Sequence, residues 1–141
     1  MSKQLVALLL TAFTAGCSRE EMKWIEVGTT PDMTFYMEQH VDTVTRNESS
    51  LTAAKMLWDY NYPQIRSEGE YKSVVVSLLI DCNHAKAADY GYTNYSANMA
   101  SGMVVATGER DIRVAEYGLR DIQNPSTKAV ADMACREAAK Q

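Results

Sequence analysis

Between residues 24 and 117 the chain repeatedly alternates apolar and polar positions, the period of a half-buried β-strand. Met33, Phe35 and Met37 share one parity, as do Met56, Trp58 and Tyr60, with Lys55 and Asp59 between them. The pattern predicts strands over 24–27, 33–37, 41–45, 54–60, 71–82, 84–96, 102–107 and 112–117. Asn47-Glu-Ser-Ser reads as a turn, and 61–69, which contains Pro63, reads as a connection. These short runs with turn signals between them predict an antiparallel meander of about six strands.

The period changes after residue 124. Asn124 is a helix-capping residue and Pro125 suits the first turn. On a helical wheel Val130, Ala131, Ala134, Cys135 and Ala138 share one side. Lys128, Asp132, Arg136 and Lys140 run down the other, a solvated face supported by weak ion pairs of roughly 0.2–0.5 kcal/mol each. The inward side is built from small residues, so the helix is expected to lie close to the sheet. The fold class is therefore α+β: an antiparallel sheet with a C-terminal helix packed on it.

Residues 1–17, MSKQLVALLLTAFTAGC, have the layout of a secretory signal peptide. Lys3 precedes an apolar run from Leu5 to Phe13, and Thr14, Ala15 and Gly16 follow. The run is far shorter than the roughly 20 residues that span a bilayer. Small residues before a cysteine resemble a lipobox, which implies a signal peptide over 1–16, lipidation at Cys17 and a tether over 17–23. Thr14 stands where leucine is commonest in that motif. Plain secretion with cleavage nearby is the alternative. Ser18, a residue other than aspartate after the cysteine, resembles the outer-membrane sorting rule.

Two further cysteines remain. Cys82 follows the apolar parity of Val74, Val76, Leu78 and Ile80, and Cys135 lies on the inward side of the helix. Both are thereby aimed at the sheet–helix boundary, as a strand-to-helix disulfide requires. Two unpaired buried thiols are the other reading, which is uncommon in an exported chain.

Charge narrows the partners. Residues 1–16 hold one charged residue, Lys3, so the remainder carries 13 basic and 18 acidic side chains, net −5. An acidic domain of about 125 residues without a basic stripe is a poor nucleic-acid binder. Membrane contact is expected through the lipid. No phosphate-binding loop, nucleophile elbow or paired carboxylate is present, so no enzyme is expected. His40 and His84 are too isolated for a metal site, and a paired Cys82 cannot serve as a ligand, so neither metal nor cofactor is expected. Tyr90, Tyr92 and Tyr95 are weak candidates for ligand binding, because tyrosine buries apolar area while keeping a polar end. Tyr90 and Tyr92 share a parity, and Tyr95 has the opposite one. Ordinary strand tyrosines covering a sheet are the plainer reading. Ser73 and Ser77 fall on the outward parity of their strand.

The ordered set of these features resembles the surface-adhesin E-like family of bacterial lipoproteins. The resemblance is carried by Trp24, Tyr36, Leu57-Trp58-Asp59-Tyr60, Tyr71 with Ser73, Asp81-Cys82, Tyr95, Gly102 with Val104-Val105, Pro125-Ser126 and Cys135, and covers residues 24–141 as one domain. Glu38 departs from the family's frequent aspartate, and Tyr117-Gly118 from its aromatic lead-in to the proline. The resemblance implies a six-stranded antiparallel sheet whose C-terminal helix is tethered by Cys82–Cys135. It also implies an outer-membrane lipoprotein that binds host matrix proteins such as vitronectin and laminin. A periplasm-facing accessory lipoprotein is the competing function, and self-association as a homodimer is left open.

Overall fold

A computed structural model describes residues 21–141. The expected signal peptide, Cys17 and most of the tether lie outside the described residues. The elements in chain order are β1 (Trp24–Thr29), β2 (Met33–Glu38), β3 (Asp42–Arg46), β4 (Ser49–Arg66), β5 (Gly69–Asp81), β6 (Lys86–Ala97), β7 (Ser101–Glu109), α1 (Ile112–Tyr117), β8 (Arg120–Asp121) and α2 (Pro125–Ala138). Six strands form one antiparallel path, β1-β2-β4-β5-β6-β7. The short β3 pairs with the start of β4, and β8 pairs with the start of β6. The α+β class, the six-strand path and the C-terminal helix are as expected.

β4 organises the sheet because it is long enough to serve two partners along one edge. Its first residues pair with β3, and Met56–Tyr60 pair with β2. The β3–β4 hairpin turns on Asn47 and Glu48, whose φ values of 47° and 66° are both positive, as a two-residue type I′ turn requires. The segment 61–69, expected as a connection, instead continues β4 to Arg66 and returns through Ser67 and Glu68 into β5. A register shift between Asp59 and Gln64 absorbs Pro63, which has no N–H for a ladder.

Two apolar clusters lie on opposite faces of the sheet. The larger joins Phe35, Met37, Met56, Val74, Val76, Leu78 and Ile80 to Val130, Ala131 and Ala134 of α2. The smaller joins Leu51, Leu79 and Ala115, with Tyr90, Ile112 and Leu119 around them. Residues 112–117, expected as a strand, are the helix α1 that covers this second face. Asp111 caps it by accepting the Arg113 backbone N–H at 2.8 Å, and Ala115 is its buried residue. Val114, which with Ile112 supplied the strand-like alternation, and Tyr117 are exposed. With both faces covered, β5 is buried from Ser73 to Ile80 except at half-buried Ser77. Ser73, expected outward, is fully buried: it donates to the Ala97 carbonyl at 2.6 Å and accepts the Ala100 N–H at 3.0 Å.

α2 begins as expected, with Asn124 Oδ1 accepting from the Ser126 and Thr127 N–H groups and Pro125 in the first turn. Its buried residues are Ser126, Val130, Ala131 and Ala134, so the helix lies close over β4, β2 and β1. Lys128 and Asp132 pair at 3.2 Å on the outer side. Lys140 turns to Glu137 at 2.7 Å.

Candidate functional site

The two sheet-side cysteines come together as a disulfide with Cα atoms 5.8 Å apart, bridging 53 residues. Cys82 is the first residue beyond β5 and is exposed, whereas the apolar parity suggested a core-facing position. It projects toward α2 from the rim of the sheet. Thr52 Oγ1 lies 3.4 Å from its sulfur. Cys135 is half-buried in the third turn of α2. His84, two residues on, is held 2.8 Å from Asp81 by its Nδ1. Among the described residues there is no group of three metal-ligating side chains.

The three tyrosines do not form one surface. The β5–β6 register shifts between Ser77 and Leu78, where Gly91 and Asp89 are the successive partners. Tyr90 is the extra residue, and this bulge breaks the parity it shares with Tyr92 in the sequence. Tyr90 packs with Leu79 and Ala115 on the α1 face, where burial pushes its hydroxyl pKa up. Tyr92 packs on the α2 face. Tyr95 stands opposite Ser73 and is half-buried.

Tyr92 instead belongs to a cleft on the α2 face. α2 covers the β1, β2 and β4 side, which leaves open the part of that face formed by the distal half of β4 and by β5 and β6. The resulting cleft holds about 610 Å³. Met56, Trp58, Tyr60, Tyr71, Val76, Tyr92 and Asn94 belong to its sheet wall, and residues 120–124 with Thr127 close the side toward α2. Tyr60 and Tyr71 meet edge to face, ring centroids 6.1 Å apart at 82°. Burial, with Tyr71 beside it, raises the Tyr60 hydroxyl above its ordinary pKa. At the mouth the Arg66 guanidinium lies 5.1 Å from the centre of the Tyr92 ring, a cation–π contact. Arg110 and Asp89 pair there at 3.5 Å.

Two groups in this wall stand out chemically. Asn94 is 1 % exposed, and neither its amide nitrogen nor its amide oxygen has a hydrogen-bond partner. Trp58 Nε1 is likewise buried and unpartnered. Buried polar groups are nearly always paired, so two such side chains in one cleft mark it as more than packing. The alternation carried a signal for Asn94: it is a polar residue at the inward parity of β6. For Trp58 the sequence carried none, because indoles are common in cores.

No helix among the described residues is long and apolar enough to cross a membrane. No curated protein and no solved structure gives a significant match. Residues 24–136 match the family of surface-adhesin protein E. That span runs from the first residue of β1 to the residue after Cys135, taking in the whole sheet and all but the last two residues of α2. The chain belongs to the surface-adhesin protein E family.

Proposed function

We propose that this protein is a lipid-anchored outer-membrane adhesin that presents its sheet domain to host matrix proteins, vitronectin and laminin among them. Family membership over residues 24–136 is the observation that carries the reading. The position of Cys17 supports the anchor: β1 starts seven residues later, so the folded domain stands on a short tether at the membrane surface. A thioether-linked diacylglycerol with an N-acyl chain supplies the two or more lipid signals that stable anchoring needs. The role requires binding and no chemistry on the ligand.

Protease shaving of intact cells, followed by solid-phase binding, tests this. The domain should be cleaved on intact cells, and the purified protein should bind immobilised vitronectin or laminin saturably. Degradation only after the outer membrane is opened would place the domain in the periplasm and leave the accessory-lipoprotein function. Cys17→Ser should release the protein from the membrane fraction; retention there would refute the anchor.

A further inference from the structure

Trp58 and Asn94 sit in one cross-strand row. Phe35, Trp58, Val74, Asn94 and Ala106 are successive partners on β2, β4, β5, β6 and β7. The two unpartnered polar side chains therefore flank Val74, roughly 10 Å apart at two strand spacings. Leaving a buried donor or acceptor unmatched costs more than a typical hydrogen bond returns, and an apolar residue of the same shape would relieve it. Asn94 thus lowers the stability of the domain at a position where leucine fits the surrounding pattern. Residues of that kind concentrate at sites that bind something.

The free hydrogen-bonding capacity of the cleft is neutral. Arg66 is engaged by the Tyr92 ring and lies 3.8 Å from Glu68, and Arg110 is paired with Asp89. The exposed Arg120 and Asp121, also in the lining, are opposite in sign, and what is buried and unpartnered in the wall is one indole N–H donor and one carboxamide with a donor and an acceptor side by side. A carboxamide of that kind matches a peptide group, which offers the complementary pair. The rings of Trp58, Tyr60, Tyr71 and Tyr92 suit one large apolar side chain next to it. A cleft of about 610 Å³ is of the size that encloses a small ligand or a few residues.

We propose that this cleft binds a short extended peptide segment of a partner protein. One aromatic or large aliphatic side chain lies on the ring-lined wall, the adjoining backbone amide pairs with Asn94, and Trp58 Nε1 donates to a backbone carbonyl. Tyr60, Tyr71 and Tyr92 are half-buried and Arg66 is exposed, so the segment reaches Asn94 by turning side chains and not backbone. The proposal rests on the reading of the chain as a surface binding module, and adds where it binds and what it recognises.

The test uses the oxidised chain matured without its lipid (Cys17→Ser), titrated by NMR with acetyl-Gly-Phe-Gly-amide and with 4-ethylphenol, an aromatic lacking the amide. The Trp58 indole N–H and the Asn94 side-chain NH₂ should shift saturably with the peptide, while the indole of Trp24, on the far edge strand, stays still. Asn94→Leu should weaken the peptide about tenfold, leave 4-ethylphenol within about twofold, and melt no lower than the parent. Trp58→Phe, which keeps a ring and removes the N–H, should weaken the peptide severalfold. Absence of saturable shifts overturns the proposal. So does an Asn94→Leu variant that melts lower, since the amide would then be bonded within the fold, or one that weakens both probes alike. Vitronectin binding separates this proposal from the adhesin reading. Matrix binding unchanged in Asn94→Leu sinks the cleft as the docking site and keeps the adhesin; peptide binding without matrix binding does the reverse.

Discussion

Reduction of Cys82–Cys135 should lower the melting temperature by about 8–16 °C and release α2 before the sheet unfolds. The bridge spans 53 residues, for which the chain-entropy relation gives ~4 kcal/mol. A domain of about 120 residues melts with an entropy near 250 cal/mol/K, at ~2.1 per residue, so 4 kcal/mol corresponds to about 16 °C. Bridges commonly deliver about half of the ideal value, which sets the lower figure. The pin matters because α2 has little else. Apart from the half-buried Met133, Val130 is its one large apolar side chain in the core, worth roughly 1.5–3 kcal/mol, and the small side chains of Ala131 and Ala134 add less. Cys82 is exposed, so a phosphine reductant reaches the bond under native conditions. The assay is a thermal melt followed by circular dichroism at 222 nm, where α2 dominates, and by tyrosine absorbance for the sheet, with thiols counted beforehand. Cys82→Ser with Cys135→Ser should reproduce the reduced melt. A shift below about 2 °C in fully reduced protein would refute the argument and return the stability of α2 to packing alone.

Three smaller tests probe other parts of the fold. Ser73→Ala removes both the donor to Ala97 and the acceptor for Ala100 from a fully buried site, and should cost about 1–3 kcal/mol in urea unfolding. An unchanged midpoint would mean that these bonds add nothing to the 97–101 turn. Gly102 has φ +81°, and a methyl there would press on the Ser96 hydroxyl, which accepts the Met103 N–H at 2.8 Å. Gly102→Ala should therefore destabilise the β6–β7 hairpin by roughly 1–3 kcal/mol, read as faster amide exchange at Met103. Asp111 is held at a pKa of about 2, well below its ordinary 3.8, by hydrogen bonds from the Arg113 guanidinium and backbone N–H. Its ionised form is favoured by the fold, so its support for α1 is full above pH 3.8 and is lost as pH falls through about 2. A carboxyl carbon titration should place its midpoint near pH 2; a midpoint near 3.8 would show that the cap is not formed.

Alternation alone located most of the sheet, because the four strands that hold buried residues, β2, β4, β5 and β6, form its centre, and a strand face repeats every second residue. It also mistook α1 for a strand. Over six residues Ile112 and Val114 alternate as a strand would, and the distinguishing sign was Asp111, a capping residue directly before the apolar run. Pro63 suggested a break in β4, yet a bulge let the strand run past it. The bulge at Tyr90 was harder to see, since one inserted residue has no composition of its own and still moves a side chain to the other face. That slip grouped Tyr90 with Tyr92 and hid the cleft. The row of Trp58 and Asn94 depends on strand register, a long-range property that periodicity within one strand cannot carry. The cysteine pairing was legible because two local periods, one of strand and one of helix, pointed to the same boundary.

The pin and the cleft depend on one another through α2. An inward side of alanines lets the helix approach the sheet closely, but alanines interdigitate weakly and set the position of a helix along its axis poorly. A covalent bond at Cys135 fixes that position. Eight residues earlier, about 12 Å along the axis, Thr127 stands in the cleft wall next to Asn124, the residue that caps the helix. The opening between this end of α2 and the rings on β4 and β6 is therefore set by a bond made elsewhere, at the rim of the sheet. A helix with a bulkier inward side could hold itself in place without a disulfide, but it would stand farther from the sheet and change the wall that Thr127 and Asn124 form. Small residues with a crosslink keep the helix low over one half of the face and leave the other half, with its unpaired amide and indole, open.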